Sequence, residues 1–176
     1  AEMVEAGCDC MVMEVSSQAL MLDRVAGITF DYGVFTNIEP DHIGPAEHKS
    51  FEEYLGWKNR LLQQCRVGIV NRDDVHFEQM VKDHTCELET YGFSPEADLR
   101  AVNETLVSRP GYLGISYHTE GLMSFLVEVH VPGKFSIYNS LAAISICRRF
   151  GVEEAVISDA LKKAKTKGRV EMVKVS

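Results

Sequence analysis

Two kinds of hydrophobic pattern divide the chain. Up to Gly92, unbroken apolar runs alternate with segments of helical period. Residues 1 to 7 read as the end of a helix closed at Gly7, where a residue without Cβ takes the left-handed cap conformation. Residues 8 to 15, with Cys10-Met-Val-Met at their centre, predict a buried strand that ends on Glu14. Ser16-Ser-Gln-Ala-Leu-Met-Leu opens on two hydroxyl residues able to cap orphan N–H groups and predicts a short helix. Val25 to Phe30 reads as a connection, and Asp31 to Asn37 as a second buried strand. The stretch from Glu39 to Lys49, with two prolines and a glycine, is a loop carrying Asp41-His42. Ser50-Phe-Glu-Glu is a capping-box pattern that starts a helix to about Gln64. Val67 to Asn71 is a third strand, a helix over 75 to 84 follows the turn Arg72-Asp-Asp, and Glu87 to Gly92 is a fourth strand.

From about 97 to 132 the period changes to two. Leu99-Arg-Ala-Val, Gly114-Ile-Ser-Tyr-His and Ser124-Phe-Leu-Val-Glu-Val-His-Val alternate between Gly turns, which predicts an antiparallel meander. Helices then return: one entered through Gly133 to Asn139 and running from Ser140 to Phe150, and one from Glu153 to about Lys165. The fold class is therefore α/β, a mostly parallel sheet flanked by helices with a small antiparallel β subsheet.

Composition narrows the picture. With 176 residues, 45% of them apolar, the chain can bury one sizeable core. The net charge of −8 and the dispersal of its 18 Lys and Arg residues argue against nucleic acid as a partner. The five cysteines, Cys8, Cys10, Cys65, Cys86 and Cys147, form no CxxC pair and sit in apolar contexts, which predicts buried thiols in a reducing, cytoplasmic setting. No apolar run reaches the roughly 20 residues of a membrane span, and the first residues are no signal peptide. The chain starts inside a helical pattern on Ala1 rather than Met, which predicts further residues upstream.

The candidate chemistry sits at strand ends. In an open parallel sheet, ligands collect beyond the carboxyl ends of the strands. Glu14 and the Asp41-His42 pair follow two such ends, and Lys58 lies two turns into the Ser50 helix. Singly, each has an ordinary reading: a solvated or capping Glu14, a surface His42, a helix-surface Lys58. Together, Met13-Glu-Val-Ser-Ser17, Arg24-Val, Val34-Phe-Thr-Asn-Ile, Asp41-His42 and Tyr54-x-x-x-Lys58 resemble the Mur ligase family. The branch they most resemble adds a diamino acid, meso-diaminopimelate or L-lysine, to UDP-N-acetylmuramoyl-L-alanyl-D-glutamate. Val70-Asn71-Arg-Asp-Asp, Phe135-x-x-x-Asn139 with Ala142-Ala143, and Gly168-Arg169-x-Glu171 extend the likeness along nearly the whole chain.

That resemblance implies a central ATP-binding domain, P-loop NTPase-like in fold, in which ATP activates a carboxylate as an acyl phosphate. It implies two magnesium ions held by Glu14, His42 and a carbamate formed on Lys58, since an ammonium cannot ligate a cation. Ser16 and Arg24 would contact the UDP-sugar dipeptide, and Asn139 and Arg169 the nucleotide; a helix cap and a surface Arg are the ordinary readings of the latter two. His48, Asn71 and Asp74 are further site candidates. Gln18 stands where many relatives carry His, and Leu22 where some carry a polar substrate contact. The glycine-rich phosphate loop of such ligases does not occur in the sequence. The resemblance implies that the loop lies upstream, that residues 168–176 start a linker, and that an amino-acid domain follows. The rival readings are another amide ligase of the superfamily, of the cyanophycin or folyl-polyglutamate type, or a non-catalytic domain that kept the fold.

Overall fold

The structure, a computed structural model, describes residues 2–39, 43–44 and 47–164. Six strands form one sheet in the order of the sequence. They are β1 (Phe30–Phe35), β2 (Cys65–Asn71), β3 (Glu87–Gly92), β4 (Leu99–Arg109), β5 (Tyr112–Gly121) and β6 (Leu126–Val129). β1, β2 and β3 pair in parallel, β3 meets β4 through only Tyr91↔Leu99 and Gly92↔Arg100, and β4, β5 and β6 are antiparallel. The meander thus continues the parallel sheet. Asp98 secures the short β3–β4 junction, its Oδ2 accepting from both the N–H and the hydroxyl of Thr90 at 2.8 and 2.7 Å.

The helices are α1 (Glu2–Glu5), α2 (Ser17–Met21), α3 (Phe51–Gln63), α4 (Phe77–Val81), α5 (Lys134–Arg149) and α6 (Glu154–Lys163). Two cores lie on opposite faces of the sheet. β2 alternates between them, sending Val67 and Ile69 into one and Val70 into the other. In the first, Ile137, Leu141 and Ile144 of α5 cover Tyr91, Leu99 and Tyr117, all with zero exposure. In the second, Leu62 of α3 and Phe77 and Met80 of α4 pack on Phe35, Cys65 and Val70. Each fully buried aliphatic side chain contributes about 1.5–3 kcal/mol. The carboxyl end of α5 is tied to β3 by Glu89, buried in the sheet, whose Oε2 accepts from Arg149 Nε at 2.7 Å and also from Arg148.

Several boundaries differ from the sequence expectation. Residues 8–16 form no strand: Val12 is 95% exposed, and no described residue pairs with this segment. A strand is held by a neighbour's hydrogen bonds as much as by its own pattern, and none of the described residues supplies them here. Cys8 and Cys10 are accordingly exposed rather than buried, whereas Cys65 is buried and Cys86 and Cys147 are half-buried. Burial pushes the Cys65 thiol up to about 12, with Cys86 beside it adding to the shift. α4 is shorter than expected because Asp74 Oδ1 accepts from His76 N at 2.8 Å and draws residues 74–76 into a turn. α5 starts earlier, at Lys134, because Gly133 with φ 113° makes the break on its own. Residues 168–176 lie outside the described part of the chain. No helix among the described residues is long and apolar enough to cross a membrane.

Candidate functional site

α3 delivers Lys58. Its N-cap is Ser50, whose Oγ accepts from Glu53 N at 3.2 Å, while Glu53 Oε2 accepts from Lys49 N at 2.7 Å. This is a capping box displaced by one residue at the acid's end. The helix starts just past the loop that follows β1, so its first turns stand over the carboxyl end of that strand. Tyr54 and Lys58, four apart on one helix face, meet Phe35, the last residue of β1. Lys58 Nζ is 5.1 Å from the Tyr54 ring centroid and 5.6 Å from that of Phe35. Such contacts contribute about 0.5–1 kcal/mol when exposed and more when desolvated. Lys58 is half-buried, and no carboxylate among the described residues pairs with it. It is therefore not the surface cation that its helix position alone would predict.

Three residues, the last of β2 and two just past it, knit the strand ends together. Asn71 Nδ2 donates to Thr36 O at 3.1 Å, and its Oδ1 accepts from Asp73 N at 3.0 Å. Asp74 Oδ2 accepts from Ile38 N at 2.9 Å and so holds the chain leaving β1. Asp73 reaches the other way: its carboxylate accepts from Phe93 N, Ser94 N and the Tyr138 hydroxyl, at 2.5, 3.0 and 2.9 Å. Burial first, then the hydrogen bond to Asp73 and its charge, raise the Tyr138 hydroxyl well above its ordinary pKa. Asn71 and Asp74, expected as site candidates, thus fix the rim on which β1, β2 and β3 end. Asp73, which sequence reasoning passed over, is the hub that joins this rim to α5.

The other candidates spread around that rim. Glu14 is exposed on the unpaired segment and has no hydrogen-bond or ion-pair partner among the described residues. Ser16 caps α2, its Oγ accepting from Ala19 N at 3.1 Å. Ser17 is buried against His48, which has zero exposure. Arg24, Gln18 and Leu22 follow on or just after α2, with Arg24 and Leu22 exposed. Asn139 is exposed within the second turn of α5, so it is no helix cap. Asp41, His42, Arg169 and Glu171 lie outside the described residues. Two open clefts, of about 470 and 330 Å³, are lined by other residues, one between the β4–β5 turn and α6, the other between α3 and α4.

The site therefore gathers Phe35, Tyr54, Lys58, Ser17 and His48 and leaves Glu14 and Arg24 on open surface. Phe35, Tyr54 and Ser17 were missed as contributors, though the Tyr54-x-x-x-Lys58 spacing already put a ring under an ammonium. A family model described as the Mur ligase middle domain matches residues 1–147.

The chain belongs to the Mur ligase family.

Among its relatives, UDP-N-acetylmuramoyl-L-alanyl-D-glutamate--2,6-diaminopimelate ligase 1 of Clostridium acetobutylicum is 38% identical over 98% of this chain and 35% of that protein. The corresponding L-lysine ligase of Streptococcus pyogenes serotype M1 is 36% identical over 98% of this chain and 34% of its own length. Among solved structures, a UDP-N-acetylmuramoyl-L-alanyl-D-glutamate--2,6-diaminopimelate ligase superposes with a TM-score of 0.77 at 25% identity, covering 93% of this chain and 34% of that one. MurF from Acinetobacter baumannii, at 18% identity and a TM-score of 0.70 over 83% of this chain and 32% of its own, shares the fold. The chain spans about a third of the length of the Mur ligases it matches. The mixed six-stranded sheet flanked by helices is thus the fold of a Mur ligase central domain.

Proposed function

We propose that this chain is the central ATP-binding part of a cytoplasmic ligase that joins a diamino acid to UDP-N-acetylmuramoyl-L-alanyl-D-glutamate, a peptidoglycan precursor, at the expense of ATP. The observation that carries the reading is Lys58: a half-buried amine above two aromatic rings at the carboxyl end of β1, with no carboxylate among the described residues to neutralise it. Reaction of this amine with carbon dioxide, with loss of a proton, would turn a cation into a carbamate, an oxygen donor. Glu14 and the Lys58 carbamate are hard oxygen donors of the kind magnesium takes, and His42 is the third residue of the set. This donor chemistry fits the ion, and no described residue competes with it for Glu14. Magnesium when bound would neutralise charge on the ATP phosphates and on the acyl phosphate.

The remaining residues have roles of their own. Asn71, Asp73 and Asp74 hold the strand ends rigid, so that the reacting groups meet in a fixed geometry. Ser16 and Arg24 face the nucleotide-sugar dipeptide, Arg24 by a bidentate grip on a carboxylate or phosphate. Asn139 and Arg169 would contact ATP. The phosphate loop, the uridine-nucleotide domain and the amino-acid domain belong to other parts of the full-length protein, and the 176 residues alone are expected not to ligate.

Lys58→Arg tests the reading in the full-length protein. Arginine keeps the charge and the ring contact but forms no carbamate, so ATP-dependent tripeptide formation should fall about 10²–10³-fold. Wild-type turnover in Lys58→Arg would make Lys58 a packing cation and remove the carbamate from the mechanism. A full-length wild type that incorporates neither diaminopimelate nor lysine would remove the substrate assignment itself.

A further inference from the structure

His48 is built into the fold in a way that its loop position does not require. It has zero exposure, and its Nε2 lies 2.8 Å from Ser17 Oγ, across 31 residues of sequence. Its ring packs at 5.3 Å and 42° on Tyr54, the residue over which Lys58 Nζ stands at 5.1 Å. Its Nδ1 is buried without a partner among the described residues. An apolar side chain would fill the same space with no orphan nitrogen, so packing alone gives no reason for an imidazole.

The two ends of the Ser17–His48 bond explain it better. Ser17 opens α2 three residues after Glu14, and His48 stands two residues before the N-cap of α3, the helix of Lys58. α2 does pack on α3, with Leu20 buried, but apolar contact is non-directional and leaves the register of the two helices open. A directional hydrogen bond between the starts of the two helices does not.

We propose that His48 is a positioning residue of the ligase reaction: by bonding Ser17 and supporting Tyr54 it fixes the Glu14 segment in register with Lys58. The inference rests on the ligase reading above. It concerns geometry in the reacting complex, so it acts on turnover rather than on nucleotide affinity.

The test uses the full-length protein with His48→Phe, His48→Gln, Ser17→Ala and the Ser17→Ala/His48→Phe pair. His48→Phe keeps a ring on Tyr54 and removes the bond; kcat should fall about 10- to 100-fold with KM for ATP within about twofold. Ser17→Ala should show the same split. The double variant should lose no more than either single one, because both remove one bond. His48→Gln carries a polar atom to the place of Nε2 and should recover most of the kcat. A His48→Phe enzyme that turns over like wild type overturns the proposal. So does a kcat loss that follows thermal stability across all four variants, or losses in the double variant that multiply. An inactive wild type would instead bring down the ligase reading, and this inference with it.

Discussion

Cys10-Met-Val-Met and Val67-Gly-Ile-Val are the same kind of sequence: four residues, almost all apolar, ended by a polar side chain at Glu14 and Asn71 respectively. One is exposed and pairs with nothing described, with Val12 at 95% exposure. The other is the centre of β2, where Ile69 and Val70 have zero exposure and strands lie on both sides. The pattern of a segment thus states what it can bury, and its neighbours decide whether it does. The same contrast separates the two ends of the sheet. At the meander end, β4 to β6 with α5 and α6 close a core together with Val67 and Ile69 of β2 and Tyr91 of β3. At the β1 end stand Glu14, Lys58 and His48, and there the apolar residues 11 to 13 remain uncovered.

Side-chain truncations at the two places in the 176-residue chain should differ widely in cost. Ile69→Ala should cost about 2–5 kcal/mol in urea unfolding, the transfer of the lost methyl groups plus the cavity they leave. Val12→Ser should cost less than about 0.5 kcal/mol, since it removes apolar surface already in water. A Val12 penalty as large as that of Ile69 would mean that residues 8–16 are covered in solution, and the contrast would collapse.

Alkaline pH probes the closed end next. Tyr91 donates its hydroxyl to Phe35 O at 3.1 Å, and the Tyr117 hydroxyl meets Ser140 Oγ at 2.6 Å; burial raises both phenols well above the ordinary value of about 10. In the unfolded chain they ionise near pH 10, in the fold only higher. The unfolded state therefore loses protons first, and stability falls as pH rises from about 10 toward the folded values, by about 1.4 kcal/mol per pH unit for each tyrosine. Tyrosinate absorbance should appear together with unfolding and not before it. Ionisation of both residues in a still folded protein would show that this core admits water.

How far the sequence reaches follows the same line. The strands β2 and β3, the meander and the capped helix α3 were readable because their signals are local: an apolar run, a two-residue alternation, a Ser-x-x-Glu cap. The strand assigned to residues 8–15 failed because pairing is not local. The exposure of Cys8 and Cys10 follows from that same failure. At the site, Lys58 was found through its motif, while its setting between Phe35 and Tyr54 depends on where the end of β1 meets a helix face. Asp73 and Asp74 look alike in sequence, yet one ties β2 to β3 and α5 and the other ties it to the exit of β1. Only the crossing of three strand ends distinguishes them.

The smallest predicted effect separates capping from recognition at Ser16. Two serines cap helices in the same way: Ser16 Oγ accepts from Ala19 N at 3.1 Å, and Ser50 Oγ from Glu53 N at 3.2 Å. Ser50 starts a 13-residue helix packed on a core, so Ser50→Ala should lower global stability by about 1 kcal/mol. α2 has five residues and little stability of its own, so Ser16→Ala should show mainly as faster amide exchange in α2, with a smaller global change. A hydroxyl has two acceptor lone pairs and one donor. The cap uses one lone pair and leaves the Ser16 O–H free to donate to a substrate. Ser16→Asp accepts at the cap as well as serine does but, ionised, has nothing to donate. Asp should therefore restore slow exchange in α2 without restoring KM for the nucleotide-sugar dipeptide in the full-length protein. If Ser16→Asp restores both, Ser16 serves its helix alone, and the substrate contact must come from another residue at the β1 end.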